Sequence, residues 1–268
     1  MSFADRYGPW ALVLGASEGT GREFARKIAA NGVPSILIAR REEPLNAVAR
    51  EIRAESGVEC LTANIDLAAS DATDRIIGAI GEREVGLFVS NAGADTNGAH
   101  FLDRDIAPWL DQIQRNIITM VRCCHHLGGL MRARRKGGML LVNSGACYGG
   151  SSFMATYSAT KAFTLCFGES LWAELRHDGV DVLTLIMSLT DTPMLRALLA
   201  EKGLPLPAVA ANAAAVAEVG LARLPHGPIH NWGFEDEGAA FALLSAADRR
   251  KRVLAVEAGS ARVFGKRG

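Results

Sequence analysis

The strongest constraint on the fold is a rhythm. Short apolar runs alternate with longer segments in which apolar residues recur every three to four positions. The runs Ala11–Leu14, Ser35–Ala39, Cys60–Asn64, Val85–Val89, Gly138–Asn143 and Asp181–Ile186 read as strands. Between them, Glu23–Ala30, Glu42–Ala54, Ala68–Ile80, Ile106–Met131 and Thr160–Arg176 read as helices, the first stopped by Gly32 and Pro34. Helix-sized links between successive strands call for parallel neighbours, with the helices covering the sheet. The expectation is an α/β protein with a doubly wound parallel sheet flanked by helices on both faces. No repeat and no long linker divides the chain, so one domain is expected. After Ile186 the rhythm weakens into a short helix over Met194–Lys202, an alanine-rich helix over Ala208–Arg223 and a weak strand over Pro228–Asn231. A last helical pattern runs over Glu237–Val256.

Composition narrows the partners. Apolar residues make up 49% of the chain, enough to bury a sizeable core. The 29 basic and 29 acidic residues balance, which argues against nucleic acid or an anionic membrane surface as a ligand. The basic run Arg132-Ala133-Arg134-Arg135-Lys136 ends a helix, where cations suit the helix dipole, and reads as a solvated helix end. Five cysteines without repeated spacing suggest reduced thiols rather than a disulfide frame. No secretory signal is visible in Met1–Tyr7, and no apolar run approaches the roughly 18 residues of a membrane span. A cytoplasmic protein without a membrane partner is expected.

In sheets of this type ligands bind beyond the carboxyl ends of the strands, so the residues that follow each strand matter most. The first strand runs directly into Gly15-Ala16-Ser17-Glu18-Gly19-Thr20-Gly21 and then a helix. Glycines there let the backbone approach a pyrophosphate, and the helix N-terminus offers it free N–H groups. That placement favours a Rossmann-like dinucleotide site over a plain tight turn. The second strand ends in Ala39-Arg40-Arg41 with no carboxylate. An acidic residue would bind the ribose hydroxyl of NAD(H), whereas arginine suits the 2′-phosphate of NADP(H). NADP(H) is therefore the preferred cofactor and NAD(H) the alternative; two solvated arginines opening a helix is the bland reading. Asp66-Leu67 after the third strand and Asn91-Ala92-Gly93 after the fourth are placed for adenine and ribose contacts, although loop capping explains either alone.

Tyr157 and Lys161 lie four residues apart, on one helix face. A phenol with a pKa near 10 is a poor base at neutral pH, and an adjacent ammonium favours its phenolate. Ser144, just after the fifth strand, is placed to hold a substrate oxygen beside the phenol, or merely to cap the strand end. Asn116 falls inside a helical pattern, where an asparagine by itself carries little information.

Taken together, Gly15–Gly21, Asp66, Asn91-Ala92-Gly93, Asn116, Ser144, Tyr157 and Lys161 resemble the short-chain dehydrogenase/reductase family in order and spacing, over roughly Ala11 to Thr192. The resemblance implies a tetrad. Tyr157 exchanges the proton, Lys161 lowers its pKa, Ser144 orients the substrate oxygen and Asn116 holds a water that relays protons. Thr190 and Thr192 match the threonines that contact the nicotinamide carboxamide. Three departures stand out. Leu14 replaces a threonine whose hydroxyl braces the loop, Thr20 replaces an isoleucine or leucine, and Met187-Ser188 replaces Pro-Gly.

Residues 193–232 occupy the family's variable substrate-lid region, and 233–268 form an added C-terminal helical extension. Met194, Leu195, Leu198 and Leu199 share an apolar face, which suits a small hydrophobic carbonyl or alcohol substrate as well as simple packing on the domain. Tyr148, Phe153, Met154 and Trp232 are further candidates to line that pocket. The resemblance also implies a homodimer or homotetramer. The expected activity is NADP(H)-dependent interconversion of a hydrophobic secondary alcohol and its ketone. The alternatives are an NAD-dependent alcohol dehydrogenase and a cofactor-bound sensor without turnover.

Overall fold

The computed structural model describes residues 1–94, 98–232 and 258–259. The strands are β1 (Trp10–Leu14), β2 (Ser35–Ala39), β3 (Cys60–Asn64), β4 (Val85–Ser90), β5 (Gly137–Ser144), β6 (Val180–Met187), β7 (Thr190–Asp191), β8 (Ala211–Asn212) and β9 (Ile229–Asn231). The α-helices are α1 (Phe3–Tyr7), α2 (Gly19–Ala30), α3 (Glu42–Ser56), α4 (Ala72–Ile80), α5 (Ala107–Ile113), α6 (Thr119–Arg134), α7 (Ala155–Leu175), α8 (Pro193–Glu201) and α9 (Ala213–Arg223). Seven strands form one parallel sheet in the order β3-β2-β1-β4-β5-β6-β9, while β7 pairs with β8 separately. This is the expected doubly wound, Rossmann-like sheet.

Strand alternation builds both faces at once. Ala11 and Val13 of β1 face one apolar layer, and Leu12 and Leu14 face the other. The first layer is closed by Phe24 and Ile28 of α2, Leu45 and Ile52 of α3, and Val216 and Leu221 of α9. The second is closed by Ile76 of α4, Cys123 and Leu127 of α6, and Leu175 of α7. Central strands covered on both sides are buried throughout, which is why β2 and β4 are dominated by apolar residues rather than alternating.

The helices differ from the sequence reading at their ends. The first begins at Gly19 instead of Glu23, because its opening turn is made of glycine and threonine, which carry no apolar period. The helix expected from Thr160 begins at Ala155. The helix expected from Ala68 starts at Ala72, after Asp66 accepts a hydrogen bond from the Ala68 N–H in a turn. The alanine-rich helix starts at Ala213, because Asn212 caps it by accepting from the Ala214 and Ala215 N–H groups. The long helix expected over Ile106–Met131 is interrupted by a π-helical turn at Gln114–Ile118, and Asn116 sits in that turn. The helical pattern over Glu237–Val256 lies outside the described residues. Among the described residues, no helix is long and apolar enough to cross a membrane.

A short N-terminal element escaped the sequence reading. Helix α1 is closed by a reciprocal cap between Ser2 and Asp5, and it brings Arg6 and Tyr7 to Asp181 at the start of β6. Arg6 forks onto both carboxylate oxygens at 2.7 and 2.8 Å, and the buried Tyr7 hydroxyl donates to the same carboxylate at 2.8 Å. Burial beside that carboxylate pushes the Tyr7 phenol far above its ordinary pKa, so it remains a neutral donor. Arg6 is 40% exposed, whereas Tyr7 is buried. Asp181→Ala should therefore lower the unfolding free energy by about 1–3 kcal/mol, the cost of a buried donor left unpaired. Arg6→Ala should cost only about 0.2–1 kcal/mol, as an exposed pair does. Urea denaturation of both variants measures the difference, and equal losses would contradict it.

Candidate active site

The order of the sheet reverses between β1 and β4, and the loops that leave these two strands part to opposite faces. Between them lies a cleft with almost no room for side chains. Gly15 has φ +77°, and a Cβ there would stand 2.9 Å from the Ala92 Cα. A Cβ on Gly21 would overlap the Gly15 carbonyl oxygen and the Asn91 amide. The Asn91 Nδ2 donates to that carbonyl at 3.1 Å, and the Thr20 hydroxyl donates to the Asn91 Oδ1 at 2.8 Å. A relay from hydroxyl to carboxamide to carbonyl thus fixes the loop. Ser17 is half-buried within it, and Glu18 takes the N-cap position of α2 without capping it through its side chain. A bare glycine cradle with uncapped helix N–H groups fits a pyrophosphate.

At the end of β2, Arg40 is exposed and has no ion-pair partner among the described residues. Arg41, beside it, pairs with Glu18 at 2.7 Å. Asp66 is exposed just after β3, while Leu67 is buried and its carbonyl accepts from the Thr119 hydroxyl at 2.9 Å. Ala92 and Gly93 follow β4. Gly93 has φ +131°, and a Cβ there would meet the Asn116 amide at 3.0 Å.

Tyr157 and Lys161 share one face of α7, with the Lys161 Nζ 5.7 Å from the phenol ring centroid. The Nζ donates to the Val142 carbonyl of β5 at 3.1 Å, and the Asn143 Nδ2 donates back to the Lys161 carbonyl at 3.1 Å. These two bonds staple α7 to the sheet. Burial lowers the Lys161 pKa to about 8, the charged form being hard to keep inside, with the nearby Cys147 acting weakly in the opposite direction. Ser144 ends β5 half-buried, and its hydroxyl oxygen accepts from the Ala146 N–H at 3.2 Å. Buried Asn116 donates to the Thr160 hydroxyl at 3.1 Å and approaches the Gly93 carbonyl at 3.5 Å, while its Oδ1 has no hydrogen-bond partner in the described structure. The π-helical turn gives this side chain its inward aim. The unpaired acceptor beside the Tyr157–Lys161 turn suits a water-holding role.

Thr190 is buried in β7 and bonds the Ser188 carbonyl at 3.0 Å, so the Met187-Ser188 replacement leaves an ordered turn. Thr192 caps α8 by accepting from the Leu195 N–H, and its methyl lies where a Cβ on Gly19 would be, at 3.0 Å. The start of α8 therefore lies close to the Gly15–Gly21 loop. On α8, Leu199 is buried, Leu195 and Leu198 are half-buried and Met194 is exposed. Phe153 is buried with φ +67°, a strained value for an aromatic residue, and stacks on His100 at 4.1 Å between ring centroids. Trp232 packs on the layer that holds α2 and α9. The sequence reading missed Asn143 and Thr160. Asn143 did leave a trace, as a polar residue closing an otherwise apolar strand. Thr160 left none, since its value lies in touching both Asn116 and the Tyr157 carbonyl.

Fold and site define a dinucleotide-binding oxidoreductase with a tyrosine–lysine pair. Residues 9–203 match the family described as short chain dehydrogenase. A 7β-hydroxysteroid dehydrogenase of Collinsella aerofaciens is 33% identical over 198 residues, covering 73% of this chain and 74% of that one. A solved structure of a 7β-hydroxysteroid dehydrogenase superposes with a TM-score of 0.81 at 28% identity, covering 87% and 91% of the two chains. A 3-oxoacyl-(acyl-carrier-protein) reductase of Agrobacterium tumefaciens C58 with NADP bound gives 0.75 at 25% identity, over 85% of this chain and 95% of that one. The chain belongs to the short-chain dehydrogenase/reductase family.

The buried lysine carries a pH signature. Its folded pKa lies below its ordinary 10.5, so the folded protein binds fewer protons than the unfolded chain between about 8 and 10.5. The resulting penalty is full below pH 8 and is relieved as pH rises toward 10.5. Burial pushes Cys60 to about 11 and Cys123 to about 12, which acts in the opposite sense at high pH but equally in a lysine variant. The stability difference between wild type and Lys161→Met should thus move in favour of wild type across that window. Denaturant titrations at several pH values read it, and a flat difference would count against a buried ammonium.

Proposed function

We propose that the chain is an NADP(H)-dependent oxidoreductase interconverting a hydrophobic secondary alcohol and its ketone, with Tyr157 as general acid/base. The carrying observation is the placement of Tyr157 beside a buried Lys161 that is anchored to β5. When bound, the nicotinamide cofactor supplies or takes up the hydride. Tyr157 gives its hydroxyl proton to the forming alkoxide, or takes it from the alcohol in the reverse direction. Lys161 eases that exchange by favouring the phenolate. Ser144 holds the substrate oxygen by its hydroxyl, and Asn116 keeps a water at its unpaired oxygen to replace the proton. The Gly15–Gly21 loop, Asp66 and the Asn91–Gly93 turn hold the cofactor, with Thr190 and Thr192 on the nicotinamide side.

The unpartnered Arg40 and the lack of a carboxylate at the end of β2 support the phosphorylated cofactor, as does the NADP-bound relative. The 33% identity to a 7β-hydroxysteroid dehydrogenase supports a hydroxysteroid or similar ring alcohol as the substrate class, and the apolar face of α8 in the 193–232 lid suits it. Exposed Leu110 and Phe163 on α5 and α7 support a homodimer or homotetramer, and five free cysteines suit a reducing cytoplasm.

Fluorescence titration should show tighter binding of NADPH than NADH, with Arg40→Ala weakening NADPH by about tenfold, the scale of a charge-assisted contact. Tighter NADH binding would sink the cofactor assignment. With NADPH and a panel of keto-steroids and smaller cyclic ketones, Tyr157→Phe should reduce turnover by about 10²–10⁴-fold while leaving NADPH affinity intact. If Tyr157→Phe kept most of its activity, the proton path would be wrong.

A further inference from the structure

The adenosine end of the cleft carries an internal competitor. Glu18 reaches out of the phosphate loop and binds the Arg41 Nη2 at 2.7 Å, with the two side chains 29% and 48% exposed. The other cation near the start of α2, Arg22, is occupied by Glu51 and Glu23 at 2.8 Å each. Glu43, in the first turn of α3, is turned to Arg50 instead. The end of β2 therefore presents Arg40, with no ion-pair partner among the described residues, beside Arg41, already held by Glu18.

We propose that Glu18 is a specificity-determining residue that restrains the preference for NADP(H) over NAD(H) by competing with the 2′-phosphate for Arg41. The inference rests on the cofactor reading above. A phosphate monoester brings a charge of about −1.5 to −2 at neutral pH and prefers a guanidinium fork. An exposed ion pair is worth at most about 1 kcal/mol, so the phosphate can take Arg41 from Glu18. What remains is a carboxylate facing a dianion, a repulsion that a bare ribose hydroxyl does not meet. Glu18 thus weakens binding of the phosphorylated cofactor selectively. Arg40 alone supplies uncontested attraction, and Arg41 contributes only after exchange.

The test is direct binding of NADPH and NADH to the full-length protein, without substrate, by fluorescence titration or calorimetry. Wild type, Glu18→Gln, Arg41→Ala and the double variant are compared. Glu18→Gln keeps the shape and size of the side chain and removes only its charge, and its thermal unfolding should match wild type. NADPH should bind about fivefold tighter to Glu18→Gln, the scale of one exposed charge pair, with NADH changed by less than about twofold. In the Arg41→Ala background most of the gain should vanish, because the two residues act as a coupled pair. An unchanged or weakened NADPH affinity, an equal shift for both cofactors, or a full gain without Arg41 would each overturn the proposal while leaving the cofactor reading intact. Wild type that binds neither dinucleotide would overturn both.

Discussion

The site depends on steric exclusion at one point, where the loops leaving β1 and β4 part. Gly15 lies against Ala92, and Gly21 lies against the Gly15 carbonyl and the Asn91 amide. No side chain larger than hydrogen fits at either glycine without moving backbone. This crowding lets the chain turn from β1 into α2 within a few residues, so the N–H groups of the first helical turn open onto the cleft rather than onto a protein side chain. Both apolar layers beneath then follow from alternation along β1 and its neighbours. The glycines set where the two loops part, and the sheet carries the load behind them.

The second constraint is the cost of keeping Lys161 inside. Burial drives the ammonium toward neutrality, and one carbonyl, that of Val142, offsets part of this. The penalty is concentrated beside the Tyr157 phenol, where a positive charge favours the phenolate. Groups tuned in this way by desolvation cluster at functional sites. The return bond from Asn143 to the Lys161 carbonyl keeps the helix from drifting and relieving the penalty by solvating the amine.

Much of this was legible from residue order. Strand-like runs separated by helix-sized links predicted the parallel sheet, because both faces of a doubly covered strand must be apolar. Spacing joined to a family likeness singled out Asn116, Ser144, Tyr157 and Lys161 as candidates. What the sequence concealed has physical causes. Helix starts built from glycine, serine and threonine have no apolar period, so α2 and α7 begin before their apolar pattern does. The inward aim of Asn116 comes from a π-helical turn, which changes the hydrogen-bonding step without leaving a compositional mark. Strands of two residues such as β7 and β8 are too short for any period. The anchoring of α1 on Asp181 joins residues 175 positions apart, beyond the reach of local pattern.

Two apparent departures from the family become one in three dimensions. Leu14 lacks the hydroxyl that the family usually carries before the first glycine, and Thr20 brings a hydroxyl where the family usually has an aliphatic side chain. In the folded chain Thr20 donates to the Asn91 Oδ1, and Asn91 in turn donates to the Gly15 carbonyl. A carboxamide has one acceptor end and one donor end, so a hydroxyl on the acceptor fixes the donor toward the loop. The donor hydroxyl need not come from the strand; it need only reach Asn91. Leu14 is then released to fill the apolar layer beneath, where it is buried beside Ile36 and Ile38. In this chain the brace on Asn91 comes from the start of a helix, and the strand end packs in the apolar layer.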